Sequence, residues 1–150
     1  MAALAIVAGL YGGMQAAKSE QQAGALDYQQ GVATYKAKQL EAKNVAATKQ
    51  REGIEAYRQA QLLASRAIAV ASAGGGNATD PTVAGIVADI RGEGAYRAMV
   101  SLYEGKTEST RLKTEAEYAF KTGEMKQKMA EDRATSRWLS GATGAFSSYG

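Results

Sequence analysis

The chain has 150 residues, and of its 68 hydrophobic residues 31 are Ala while Val, Ile and Leu together supply 21, a mix that buries little apolar area per residue and excludes a self-sufficient compact globule. With no Cys and no His, it has no disulfides, no thiolate or imidazole metal sites, no Cys nucleophile and no His-based acid/base catalysis. The net charge of +3 resides in residues 1–75, with eight Lys/Arg against five Asp/Glu, while residues 76–150 hold ten of each.

Residues 1–17, MAALAIVAGLYGGMQAA, carry no charged side chain. Small residues recur there at every fourth position, Ala5, Gly9, Gly13 and Ala17, and Gly9-xxx-Gly13 is the spacing at which membrane helices associate. The same residues would also pack closely in a soluble helical ring. No basic stretch precedes the apolar run, so it does not read as a secretory signal, and 17 residues with three Gly are marginal for a single membrane span.

Residues 18–72 form the first predicted arm. A heptad row runs Leu26, Ala33, Leu40, Ala47, Ile54, Gln61, Ile68, with a neighbouring row at Tyr28, Tyr35, Ala42, Lys49, Ala56, Leu63 and Val70. Residues 73–80 read as a loop, because Gly74, Gly75 and Gly76 are followed by Asn77, Thr79 and Asp80. Asp80 offers an N-cap and Pro81 a first helical position, so a second helix should start there. The second arm covers 81–139, with Val83, Ile86, Val87, Ile90, Ala98, Leu102, Tyr103, Leu112, Ala116 and Phe120 at helical spacing. Gly92 and Gly94 predict a kink in it. Residues 140–150 read as a Gly/Ser-rich tail.

These elements predict an all-α fold: an elongated antiparallel hairpin of two long helices joined by a Gly-rich loop, the second helix kinked, assembling into an oligomeric ring. At roughly 55–60 helical residues each, the arms would span roughly 80–90 Å. Every charged side chain lies between Lys18 and Arg137, so the hairpin would be a polar shaft with one apolar tip. At that tip Trp138, Leu139 and Phe146 would join Ala5, Gly9, Gly13 and Ala17 in membrane or helix association.

The basic excess is concentrated in Lys36, Lys38, Lys43, Lys49 and Arg51, opposed only by Glu41. It reads either as a solvated helix face or as a stripe facing DNA, sequence-blind and salt-sensitive. Gly105-Lys106-Thr107 ends like a phosphate loop, but Val100 stands where the first Gly belongs and the preceding segment reads as helix rather than strand. Carboxylates such as Glu115 and Glu117, or Glu131 and Asp132, point to different helix faces and read as surface charge. The expectation is therefore a protein that is not an enzyme and that needs no cofactor or metal.

The order of features resembles the small internal virion, or ejection, proteins of short-tailed bacteriophages. The residues that carry the likeness are ALAIVAGLYGGMQAA at the start, EQQAGALDYQQ after it, the central ASRAIAVASAGGGNATDPTVAGIVADIRGEGAYRAMVSLYEGK, and the tail WLSGATGAFSSYG. The central match consists of Gly74 to Gly76, Pro81, the apolar Asp-containing stretch Ile86 to Ile90, Gly92-Glu93-Gly94 and Tyr103-Glu104-Gly105. The resemblance implies storage in the capsid interior or the portal and tail channel, and release ahead of the genome. It then implies a homo-oligomeric conduit across the host cell envelope for DNA delivery, at the outer membrane. The partners it implies are other virion proteins (portal, tail or other ejection proteins), phage DNA in non-specific contact, and the host membrane. The alternative expectation is a purely structural virion component lining the portal, adaptor or tail channel without membrane insertion.

Overall fold

A computed structural model describes the backbone of residues 2–77 and 79–147, with side chains described for 11–77, 79–140 and 143. Among the described residues the fold is all-helical: α1 covers Ala2–Ala73 and α2 covers Pro81–Ser147, packed against each other as a hairpin. Pro81 is the single proline, so nothing inside either run removes a backbone donor.

The connection is built from caps. Gly75 adopts φ +81°, a conformation that a side chain resists, and the helix closes around it as a Schellman motif: the Gly76 N–H donates to the Ala71 carbonyl at 2.9 Å and the Gly75 N–H to the Ser72 carbonyl at 3.2 Å. At the other side the Asp80 carboxylate accepts the Thr82 N–H at 2.8 Å, and the Asp80 carbonyl accepts the first helical bond from Ala84. Pro81 then stands at the first helical position, where its missing donor costs nothing.

The chain forms two compact units, one of residues 1–38 and 114–150 and one of residues 39–113. The unit of residues 39–113 holds the connection. Its contact line is made of Ala42, Gly53, Ala60 and Ala64 on α1 and of Val87, Gly94, Gly105, Ser109 and Leu112 on α2, all buried. At Gly94 an added Cβ would stand 2.1 Å from the Ala60 Cβ, at Gly105 it would stand 2.5 Å from the Lys49 Cβ, and at Gly53 it would stand 3.1 Å from the Ala98 carbonyl oxygen. The backbones are thus in near contact. Gly94 serves this approach, and α2 is helical without interruption through Gly92 and Gly94, in place of the expected kink.

The unit of residues 1–38 and 114–150 brings the two ends of the chain together and uses the same device. Gly31 and Gly123 face each other, each lacking room for a Cβ beyond about 3.1–3.2 Å from the other's Cα, and a Cβ at Gly24 would meet that of Ala130 at 2.6 Å. Beside this line Phe120 lies between Tyr28 and Tyr35, with ring centroids 5.9 and 5.8 Å apart. Tilted rings at that separation add packing energy beyond their area. The ion pairs Asp27–Lys126, Glu20–Arg137 and Lys38–Glu115 bridge α1 and α2 here.

The heptad row is not the buried face: Leu26, Leu40 and Ile54 are about 60% exposed, and Leu63 and Val70 of the neighbouring row are exposed as well. Helices held this close by Gly and Ala leave no space between them for a large side chain, which must point away. α2 continues through the first residues of the Gly/Ser-rich tail to Ser147. The Thr143 hydroxyl, bonded to the carbonyls of Leu139 and Ser140 at 3.0 and 3.1 Å, points back along the helix there.

The close approach makes opposite predictions for two neighbouring glycines. Gly94→Ala forces its methyl into Ala60 and should cost about 1–3 kcal/mol, as overpacking does. Gly92→Ala meets nothing within 4 Å and should gain roughly 0.5–1 kcal/mol from helix propensity. Thermal unfolding followed by circular dichroism checks both, and equal shifts in the same direction would remove the close-approach account.

Candidate functional site

An α-helix turns 100° per residue, so cations two apart in sequence leave the helix on opposite sides. That rule divides the five-residue basic stripe. Lys38 faces α2 and pairs with Glu115. Lys49, half-buried, reaches Glu52 at 2.9 Å and Glu104 of α2 at 3.2 Å, while the Ser101 hydroxyl donates to the Lys49 carbonyl at 2.9 Å. These two lysines tie α1 to α2 through ion pairs.

Lys36, Lys43 and Arg51 are exposed and have no ion-pair partner among the described residues. Arg51 is continued by Arg58 and Arg66, which the sequence reading missed. The steps of seven and eight residues advance the three along α1 by about 11 Å each, all on the side of α1 turned away from α2. The signal for this row was the 7–8 spacing, hidden by closer lysines that pair with α2.

Ionisation is perturbed in the Lys49 cluster. The carboxylates of Glu52 and Glu104 hold the Lys49 ammonium above its ordinary value, and Lys49, with help from Ser101, holds the Glu52 carboxyl below the usual carboxylate range. Both groups are solvent-accessible. Glu115 is taken up by Lys38, and Glu131 accepts a hydrogen bond from Gln127 at 3.1 Å. Among the described residues no group of acidic side chains is arranged to hold a metal ion.

At the chain ends, Gly13 and Ala17 are half-buried, and Ala17 joins Trp138, Gln21, Ala134 and Thr135 around a shallow groove of about 220 Å³. Trp138 and Leu139 are each about half exposed. The side-chain surroundings of Ala5, Gly9 and Phe146 lie outside the described residues. Among the described residues no helix is long and apolar enough to cross a membrane. Tyr28 and Tyr35, seven apart on α1, pack on Phe120, whereas Tyr96 and Tyr103, seven apart on α2, are exposed. Gly105, which begins the phosphate-loop-like triplet, lies inside α2 against Lys49 and leaves no room there for a phosphate.

No family model, no curated protein and no solved structure matches this chain.

The Lys49 cluster gives a pH signature. Lys49 stabilises the hairpin fully below the ordinary lysine value of 10.5 and loses that contribution as pH rises through its raised folded value. Glu52 contributes above the ordinary carboxyl value of 4.5, and the contribution disappears as pH falls through its lowered folded value. Thermal midpoints measured across pH should therefore fall at both extremes, and Lys49→Met should flatten both limbs. Unchanged limbs in that variant would assign the pH dependence elsewhere.

Proposed function

We propose that this chain is a small internal virion protein of the ejection type, which assembles with copies of itself into a ring. In this reading it is stored in the capsid interior or the portal and tail channel, beside portal, tail or other ejection proteins. After release it forms part of a channel for DNA across the host cell envelope. The observation that carries the reading is the inverted use of hydrophobic residues. Buried contacts are made by Gly and Ala, while Leu26, Leu40, Ile54, Tyr96, Met99 and Tyr103 remain exposed. Each buried methyl contributes about 0.8 kcal/mol, against about 1–2 kcal/mol to fix each residue's backbone. A protomer with so thin a core is completed by neighbours.

The uncharged ends provide the surface for lipid, with Ala17 and Trp138 already side by side. The Arg51, Arg58 and Arg66 row provides the surface for DNA, where regularly spaced guanidinium groups contact phosphates without reading bases.

Two measurements test the reading. Purified full-length protein should release dye from liposomes, and a variant lacking residues 1–17 should not. If the full chain neither binds nor permeabilises vesicles yet still assembles, the membrane role falls and a component lining the portal, adaptor or tail channel is the reading left. Replacing Arg51, Arg58 and Arg66 with Gln should weaken binding to duplex DNA and reduce the slope of log affinity against log salt by about 3. An unchanged slope would remove the DNA surface.

A further inference from the structure

Charge in the unit of residues 39–113 is sorted by face. Its seam recurs every 11 residues, at Ala42, Gly53 and Ala64 on α1 and at Gly94 and Gly105 on α2, so each residue advances about 98° around its helix. Because the helices run antiparallel, the same sense of rotation away from the seam leads on both helices to the same flank of the pair.

One flank receives Lys43 from α1 and Arg91, Lys106 and Lys113 from α2, with Arg51 and Arg58 toward its α1 edge. None of the acidic residues of α1 or α2 in this unit falls on it. Glu41 and Glu52 of α1, and Asp89, Glu93, Glu104 and Glu108 of α2, all fall on the opposite flank, with Glu55 at its edge. The contacts agree with this placement. Lys49 touches both Glu52 and Glu104, Arg97 and Arg111 on that flank are held by Glu93 and Glu108 at 2.8 and 2.5 Å, and Arg66 stands at its α1 edge in the same register as Glu55. The acidic flank also contains an apolar groove of about 330 Å³ lined by Ala56, Ala60, Leu63, Ile90 and Gly94. On the basic flank the exposed apolar groups are Ile54, Tyr57 and Leu102, with Met99 toward its α2 edge.

A flank of one sign repels itself and attracts its opposite. Since both signs are carried by the same unit, the complementary partner is the chain itself. We infer that copies of this chain associate flank to flank, all pointing the same way, the basic flank of one against the acidic flank of the next. Such a contact joins two different surfaces, so it leaves a free flank at each end and either closes into a ring or continues as a filament. A two-fold pair would set like charges together. The inference names the surface used by the self-association proposed above and rests on it, but on no membrane or DNA role.

A charge exchange tests it, with light scattering for mass and circular dichroism to confirm retained helix. One variant reverses the basic flank (Lys43→Glu, Arg91→Glu, Lys106→Glu) and a second reverses the acidic flank (Glu41→Lys, Asp89→Lys), at exposed positions that make no seam contact. The unaltered chain should associate in dilute salt and dissociate toward about 1 M, where screening acts over about 3 Å. Each variant alone should associate roughly a hundredfold more weakly. Their equimolar mixture should recover assembly, with the two variants alternating. If the unaltered chain assembles and the variants assemble equally well, this interface is overturned while self-association stands. If the unaltered chain stays monomeric, both are overturned. If the first variant loses only its affinity for a short DNA duplex and keeps its mass, the basic flank is a polyanion surface and the inference is wrong.

Discussion

The structure depends on how closely two helix backbones approach. Gly24, Gly31, Gly53, Gly94, Gly105 and Gly123 lie where an added Cβ would meet the opposite helix within about 3.2 Å. That proximity admits only residues with one side-chain carbon or none, apart from Val87, Ser109 and Leu112, where the line widens. Other features follow from it. Large apolar side chains are displaced outward, polar ties such as Lys49 to Glu104 lie along the edges of the contact, and little apolar area is removed from water within one chain.

The fold class was legible because its signals were positive and local. Two long runs free of proline, three consecutive glycines and the Asp80-Pro81 pair specify two helices and the point at which the chain turns. The identity of the buried face was not legible by the same route. A search for large hydrophobic residues at heptad spacing selects Leu26, Leu40 and Ile54, which do point one way, but outward. The true seam, Gly31, Ala42, Gly53 and Ala64, is made of residues whose hydrophobic signal is weakest, two of them read on their own as helix weakeners. Their common spacing of 11 was the sign available. The cation stripe divides for a related reason: Lys36 and Lys38 are two apart in sequence but 200° apart in rotation, so a cluster in sequence becomes two groups, one paired with α2 and one without an ion pair among the described residues.

In the unit of residues 39–113 the two flanks of opposite sign lie on opposite sides of the helix pair, with Arg51 and Arg58 toward the α1 edge of the basic one. Sorting charge by flank also explains why the overall balance of +3 understates the electrostatics of this chain. Neutralisation on paper combines two surfaces that never neutralise each other within one molecule.

The seam spacing itself differs between the two units. In residues 1–38 and 114–150 the buried line steps by seven, from Gly24 to Gly31 and from Ala116 to Gly123 to Ala130, whereas in residues 39–113 it steps by eleven. Seven residues over two turns fall short of the natural helical repeat and favour left-handed winding, while eleven over three turns exceed it and favour the right-handed sense. One pair of continuous helices thus carries instructions for two opposite hands. Each unit's spacing therefore favours its own sense of winding for its own stretch of α1 and α2.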